Sequence, residues 1–394
     1  MVGLRTNVLR PRRPQEHARV TFVELFFDLV FVFAITQLSH SLLEHFTAAG
    51  VAQTALLLCG VWWLWIYTCW VTNWVDPQTA PVRIMLFVLM LAGLVLTTSI
   101  PQAFDSRGFA FAAAYVFIQV GRSLFMLWAL HRHSAGHFRN FQRITAWLAL
   151  SGVFWIAGAF ANAETRFGLW ILALAIEYAA PWAGFWTPGL GRSSTTDWDV
   201  EGAHMAERCG LFIIIALGES ILVTGATFAK MDWNVASAAA FAGAFIGSVA
   251  MWWVYFNIGA ERASHSFASS ADPGRVARLA YTYVHLLIVA GIVVAAVGDE
   301  LVLAHPTGHT DAKTVIAVVG GPALFLLGNI LFKRFATGRP TLSHWIGLIL
   351  LASIAAAAHL MPPLAAGTAA AAVLIIVAIW ETRSFRDAAH TIEH

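Results

Sequence analysis

The sequence predicts an all-α, polytopic integral membrane protein of about twelve transmembrane helices, arranged as two parallel six-helix repeats. Three observations predict it. Apolar windows of about 20 residues, the length that crosses a bilayer as a helix, recur along the 394-residue chain. The composition is 59% hydrophobic and 12% charged, where a soluble domain is nearer ~25% charged. No run sustains the alternation of a half-buried strand. The 17 Trp and 28 Phe suit a lipid-facing surface with aromatic belts. A net charge of +2 is too small to argue for nucleic acid, so the expected partners are the bilayer and a small ion or proton. No cofactor is implied.

Residues 1–19 form a basic segment with Arg10, Arg12, Arg13 and Arg19 ahead of the first apolar run. That run, 22–43, is too long for the core of a signal peptide. It ends in Gln37, Ser39, His40 and Ser41 rather than a small-residue cleavage site, so it reads as a retained first span. Five further windows, at 51–73, 82–101, 108–131, 141–161 and 167–186, complete a first set of six over residues 20–186. The linker 187–203 is polar and contains Gly and Ser. A second set occupies 204–381, with windows at 204–228, 234–258, 276–298, 314–333, 342–360 and 364–381, and 382–394 form a tail. The other long connection is 259–275. Cys59, Cys69 and Cys209 lie in or beside apolar windows without metal or disulfide spacing and read as buried free thiols.

The two sets resemble each other. Gly60-Val61-Trp62-Trp63-Leu64 in the second window matches Val249-Ala250-Met251-Trp252-Trp253-Val254 in the eighth. Asp76-Pro77 before the third matches Asp272-Pro273 before the ninth, and Gly121-Arg122-Ser123 in the fourth matches Gly328-Asn329-Ile330 in the tenth. Superposing the double Trp brings Asp28 opposite Glu219 within one position. Such repeats are a common transporter architecture, with the site at their interface. Basic residues set the orientation. With the N-terminus inside, Arg107, Arg166, Lys230 and Lys313 fall outside, Arg122 falls within a span, and the rest of the 24 Lys and Arg are inside. The expected location is the cell membrane, with both termini cytoplasmic.

Ionisable groups inside apolar helices are the candidate functional residues, because a carboxylate facing lipid costs about 3 kcal/mol even on lenient scales. Glu24 and Asp28 share one face of the first span, about 6 Å apart. At 1.5 Å per residue, Asp28, Arg122, Glu177 and His285 fall in one layer roughly 13 Å deep. Glu219 sits near the midplane, and Arg208 lies three turns below it on the same face. The functional reading is a buried network lining an ion, proton or substrate pathway. The structural reading is a fixed salt bridge such as Asp28–Arg122, with His285 as a satisfied packing residue and Glu24, Glu207 and Arg208 anchoring helix ends. His131, His133 and His137 read as part of a basic loop. Gly320-Gly321-Pro322 and the pair Gly243 and Gly247 read as close-packing or kink positions. No phosphate loop, zinc motif or serine-nucleophile elbow is present.

These residues resemble the bacterial low temperature requirement A family. The likeness is carried by Arg19-Val20-Thr21-Phe22-Val23-Glu24-Leu25-Phe26-Phe27-Asp28 with Gln37-Leu38-Ser39, then by Glu207-Arg208, Leu211-Phe212-Ile213-Ile214 and Leu217-Gly218-Glu219-Ser220. It implies a multi-span membrane protein in a family named for growth at low temperature, with Glu24, Asp28, Glu207, Arg208 and Glu219 as motif positions. A looser likeness, at the level of fold, links the first span to the lysosomal potassium-channel family, whose Phe-Ser-Asp element stands here as Phe26-Phe27-Asp28. Three functions stay open: a secondary transporter or ion conductor using the carboxylates, a non-transporting scaffold or lipid-binding factor in stress adaptation, and, with least support, a membrane enzyme.

Overall fold

In the computed structural model the described residues are 7–11, 19–195, 198, 200–257, 267, 270, 272–338 and 341–390, with side chains to residue 384. Arg5, Arg12, Arg13, Arg262 and Arg339, which carry part of the basic bias, lie outside them. Twelve long helices are described: α1 (Phe22–Glu44), α2 (Ala48–Trp74), α3 (Ala80–Ser99), α4 (Gly108–Leu130), α5 (Ala135–Ala159), α6 (Ala163–Ala179), α7 (Gly202–Phe228), α8 (Val235–Phe256), α9 (Pro273–Ala304), α10 (Ala312–Thr337), α11 (Leu342–Ala357) and α12 (Pro363–His390). Ten are long and apolar enough to cross a membrane, against the twelve windows of the sequence. The other two are α5 and α6. α5 opens with His137, Arg139, Asn140, Gln142 and Arg143, and α6 has 17 residues. α6 stops at Ala179, short of the expected Trp186, because Pro181 has no N–H to continue the helix. The chain then turns through Gly184 and Phe185, both at positive φ.

The chain divides into two compact units. Unit 1 comprises residues up to Arg208 together with 271–278, and unit 2 comprises Cys209–Ser270 and the chain from Leu279 onward.

Unit 1 is built on α2, which packs against α1, α4 and α6. Every residue from Gly60 to Asn73 is buried, as expected of a helix that is apolar all round. Its tryptophans point to different neighbours. Trp63 stacks on Tyr178 of α6 with ring centroids 3.9 Å apart, and Trp65 reaches α1. Gly60 leaves room for Tyr115 of α4 and Trp155 of α5. In lipid, apolar surface does not drive helices together, so such close packing and the polar contacts supply the association. At the far end of α5, Arg166 serves as a cap. Its guanidinium donates to the carbonyls of Ala103, Asp105, Gly158, Ala159 and Ala161, filling acceptors that helix ends leave open.

Unit 2 is centred on the antiparallel pair α9 and α10. Glycines seven residues apart on each helix let the backbones meet. A Cβ on Gly291 would lie 2.5 Å from the Phe325 nitrogen, and one on Gly321 would lie 2.4 Å from the Ala295 nitrogen. Gly298 faces Ala317 and Val318, and Gly328 faces Ile288, in the same register. Gly321 is thus a close-approach position, whereas Gly243 has open space beside it. Residues 277–284 of α9 are π-helical, and α10 ends on Gly338 at φ 75°. The double tryptophans that match in sequence sit differently. Trp62 and Trp63 are 2% and 0% exposed in unit 1, while Trp252 and Trp253 are each 43% exposed in unit 2.

Candidate functional site

The first turns of α1 and α7 meet in unit 1 around two carboxylates. Thr21 is the N-cap of α1 and Glu24 is its third residue, the spacing of a capping box. Glu24 Oε2 accepts from the Thr21 N–H at 2.8 Å and from its hydroxyl at 2.9 Å. Its other oxygen takes His204 Nε2 at 2.9 Å, Arg208 at 3.2 Å and Arg10 at 3.4 Å. One turn on, Asp28 Oδ1 accepts from Arg208 at 2.6 Å and from the Trp65 indole at 2.7 Å. Its Oδ2 has no partner among the described residues. Arg208 also donates to Thr72 Oγ1 at 3.1 Å and lies 5.8 Å from the Trp65 ring centroid. His204 Nδ1 accepts from Asn73 Nδ2 at 3.3 Å, which is consistent with a neutral ring donating from Nε2. Glu24, Asp28, His204 and Arg208 are all 0% exposed. Two acids face two arginines, so the cluster is charge-balanced and closed to solvent.

A second cluster lies on the other side of α2. Glu177 of α6 is buried and takes four neutral donors. Tyr115 and Gln119 bind one oxygen at 2.7 and 2.8 Å, and Ser151 and Trp155 bind the other. Gln119 in turn accepts from Arg122, which also donates to the Leu64 carbonyl at 3.0 Å and Thr68 Oγ1 at 2.8 Å. Gln119 therefore bridges Arg122 to Glu177.

The geometry corrects the expected network. Asp28 does not pair with Arg122, because α2 stands between them. Leu64 presents its carbonyl to Arg122, while its neighbour Trp65 turns to Asp28. The partner is Arg208, which is not a helix-end anchor but the centre of the cluster. Glu24 does cap a helix, yet it is as deeply enclosed as Asp28. Glu207 is exposed and accepts the Val20 N–H at 3.3 Å. Glu219 is half-buried on the part of α7 in unit 2.

His285 also belongs to unit 2, in a closed aromatic cage. Its Nδ1 contacts the Ala280 carbonyl at 2.8 Å, so Nδ1 carries the proton, and in the neutral ring Nε2 accepts the Tyr255 hydroxyl at 2.8 Å. Tyr281 stacks on it, and Phe332 meets it edge-on. It is a satisfied packing residue at the end of the π-helical stretch.

Further charged groups lie in the helices of unit 2. Lys333 is buried and reaches Glu381 at 2.5 Å, with His344 Nε2 at 3.3 Å. Asp299 and Glu300 lie within α9, five and four residues before its end. Glu300 accepts from Thr227 at 3.2 Å, and Asp299 has neither hydrogen bond nor ion pair among the described residues. The ninth window closes at residue 298, but Leu301-Val302-Leu303-Ala304 continue the apolar run. That continuation was the signal for two acids inside a span. His204 gave no such signal, because its role depends on tertiary placement.

No solved structure matches the chain. It is 40% identical over 372 residues to an uncharacterized protein of Rhizobium meliloti (strain 1021), an alignment covering 93% of this chain and 90% of that relative. The family model described as bacterial low temperature requirement A protein matches residues 19–379. That span takes in both charged motifs, from Arg19 through Asp28 and from Glu207 through Glu219, and the chain belongs to the bacterial low temperature requirement A family.

Proposed function

We propose that this is a multi-pass protein of the cell membrane that transports or conducts a proton or small cation. It has twelve spans in two parallel six-helix repeats, and both termini are cytoplasmic. The excess of Lys and Arg on one side of the apolar windows supports that orientation. One observation carries the functional reading: acids within membrane-length helices come in two kinds. Glu24, Asp28 and Glu177 are neutralised or fully hydrogen-bonded within unit 1. Asp299 and Glu300 of unit 2 have no cationic partner among the described residues. Retaining an uncompensated acid in a span is costly, and such acids mark ion and proton pathways. Unit 1 then supplies a balanced frame, the acids of α9 supply exchangeable sites, and Glu219, half-buried in a span and the sequence counterpart of Asp28, lies on the same pathway.

The balanced cluster of unit 1 also favours a second reading, a non-transporting scaffold or lipid-binding factor in stress adaptation. Reconstitution in liposomes separates the two. Under the first reading, wild-type protein carries proton, sodium or potassium flux above protein-free vesicles, and Glu219→Gln lowers it. Wild-type vesicles no leakier than empty ones to all three ions would remove the transport reading and leave the scaffold.

A further inference from the structure

Asp299 lines a cavity of about 40 Å³ in unit 2, together with Gly243 and Gly247 of α8, Pro322 of α10, and Gly367 and Thr368 of α12. At roughly 10–15 Å³ per water, two to four waters fit. The space exists because glycine leaves it. A Cβ on Gly243 would meet nothing within 4 Å, and one on Gly247 would just touch Ala371. At Gly291, Gly298, Gly321 and Gly328, by contrast, a neighbouring backbone fills the space.

The cavity wall is richer in oxygen than its apolar residues suggest. Pro322 sits inside α10 and has no N–H, so the carbonyl of Val318, which also lines the cavity, lacks its i+4 donor. The Thr368 hydroxyl is donated to the Leu364 carbonyl at 2.7 Å, which leaves its lone pairs available. Among the described residues, no lining residue from α8, α10 or α12 is titratable, and no cationic side chain lines the cavity. The adjacent acid, Glu300, is turned to Thr227. The site therefore presents one carboxylate, neutral oxygens and room for water.

We propose that Asp299 and this cavity bind one positive charge: a proton exchanging on the carboxyl, or a small monovalent cation held by the carboxylate, waters and neutral oxygens. A single acid matches a charge of one, whereas calcium sites usually recruit several carboxylates. The inference rests on the cation-handling reading above, but its test reads occupancy rather than flux, so each can fail alone.

The probe is dicyclohexylcarbodiimide, which reacts with a protonated carboxyl in an apolar site. It is applied to the full-length protein in detergent micelles, and the adduct is located by peptide mass spectrometry. Asp299 is expected to be modified at acidic pH, with modification falling severalfold as pH rises. Slowing by sodium or potassium, but not by choline at equal ionic strength, assigns the site to a cation as well. The pH effect without cation protection assigns it to the proton alone. Gly243→Leu fills open space without a backbone clash and is expected to suppress the adduct. An unmodified Asp299 beside a modified surface carboxyl, or an adduct unaffected by Gly243→Leu, overturns the proposal. Flux with no adduct sinks this site and spares transport, and an adduct without flux does the reverse.

Discussion

Replacing Arg208 with Met tests whether the cluster of unit 1 is a dry, charge-balanced lock. The guanidinium makes two charge-assisted contacts, to Asp28 at 2.6 Å and Glu24 at 3.2 Å, and one neutral contact to Thr72. Hydrogen bonds to charged groups contribute about 1.5–3 kcal/mol each, and removing one partner of a buried pair costs about 3–5 kcal/mol. Glu24 keeps His204, Arg10 and Thr21, so most of the cost falls on Asp28, which keeps only Trp65. The expected loss is about 4 kcal/mol. Asp28→Asn alone keeps an acceptor for Trp65 and leaves Arg208 paired with Glu24, so it should cost about 1–2 kcal/mol. In the double variant the uncompensated charge on Asp28 is gone. Its cost should fall short of the sum of the single variants by about 2 kcal/mol. Unfolding by sodium dodecyl sulfate in mixed micelles, followed by tryptophan fluorescence, measures all three. Additive effects, or a loss below about 1 kcal/mol for Arg208→Met, the range of an exposed pair, would refute the closed cluster and reopen it as a water-filled pathway.

Gly321→Leu should abolish stable folding, because its Cβ would lie 2.4 Å from the Ala295 backbone, while Gly320→Leu next to it faces open space and should be nearly neutral; detergent melting of the pair checks both. His285→Phe strands the Tyr255 hydroxyl and should cost about 1–3 kcal/mol without changing ion flux in liposomes, and a selective loss of flux would return His285 to the pathway. Asp311 caps α10 through the Thr314 side chain and N–H, and these hydrogen bonds hold its carboxyl below the usual range. A depressed carboxyl stabilises the fold above the unfolded value of about 3.9 and loses that contribution as pH falls through the lower folded value. Asp311→Ala should therefore cost about 1 kcal/mol at neutral pH, and the difference from wild type in melting should shrink in acid.

The apolar windows located the helices because length and hydropathy report directly on what a bilayer accepts. They failed where another rule governed. Pro181 ended α6 early, and the acids at 299 and 300 cut the ninth window short although the helix runs on to Ala304. Depth arithmetic placed Asp28 and Arg122 at one level, but it gives height and not azimuth. The intervening α2, and the turn of Trp65 rather than Leu64 toward Asp28, decide which charges meet. Arg208 was visible as a charge in an apolar helix. Its bond to Asp28 was not, because the two residues lie 180 positions apart. The capping box Thr21-Phe22-Val23-Glu24 was legible from spacing alone.

The two clusters of unit 1 hang from one short length of α2. Leu64, Trp65, Thr68, Thr72 and Asn73 supply partners to Arg122 on one side and to Asp28, His204, Arg208 and Arg10 on the other. In lipid an apolar helix has many packings of similar energy, since its neighbours are as greasy as the tails. A buried charge breaks that degeneracy, because only one rotation and one height bring it to its counter-charge. Glu24 and Asp28, one turn apart, fix both for α1, and Arg10 ties the preceding segment to the end of α2 through the Thr72 carbonyl. Charges used in this way need partners on every side. The same logic separates Asp299 from them: an acid with no counter-charge among the described residues pins no neighbour, so its retention in α9 calls for a ligand rather than a packing role.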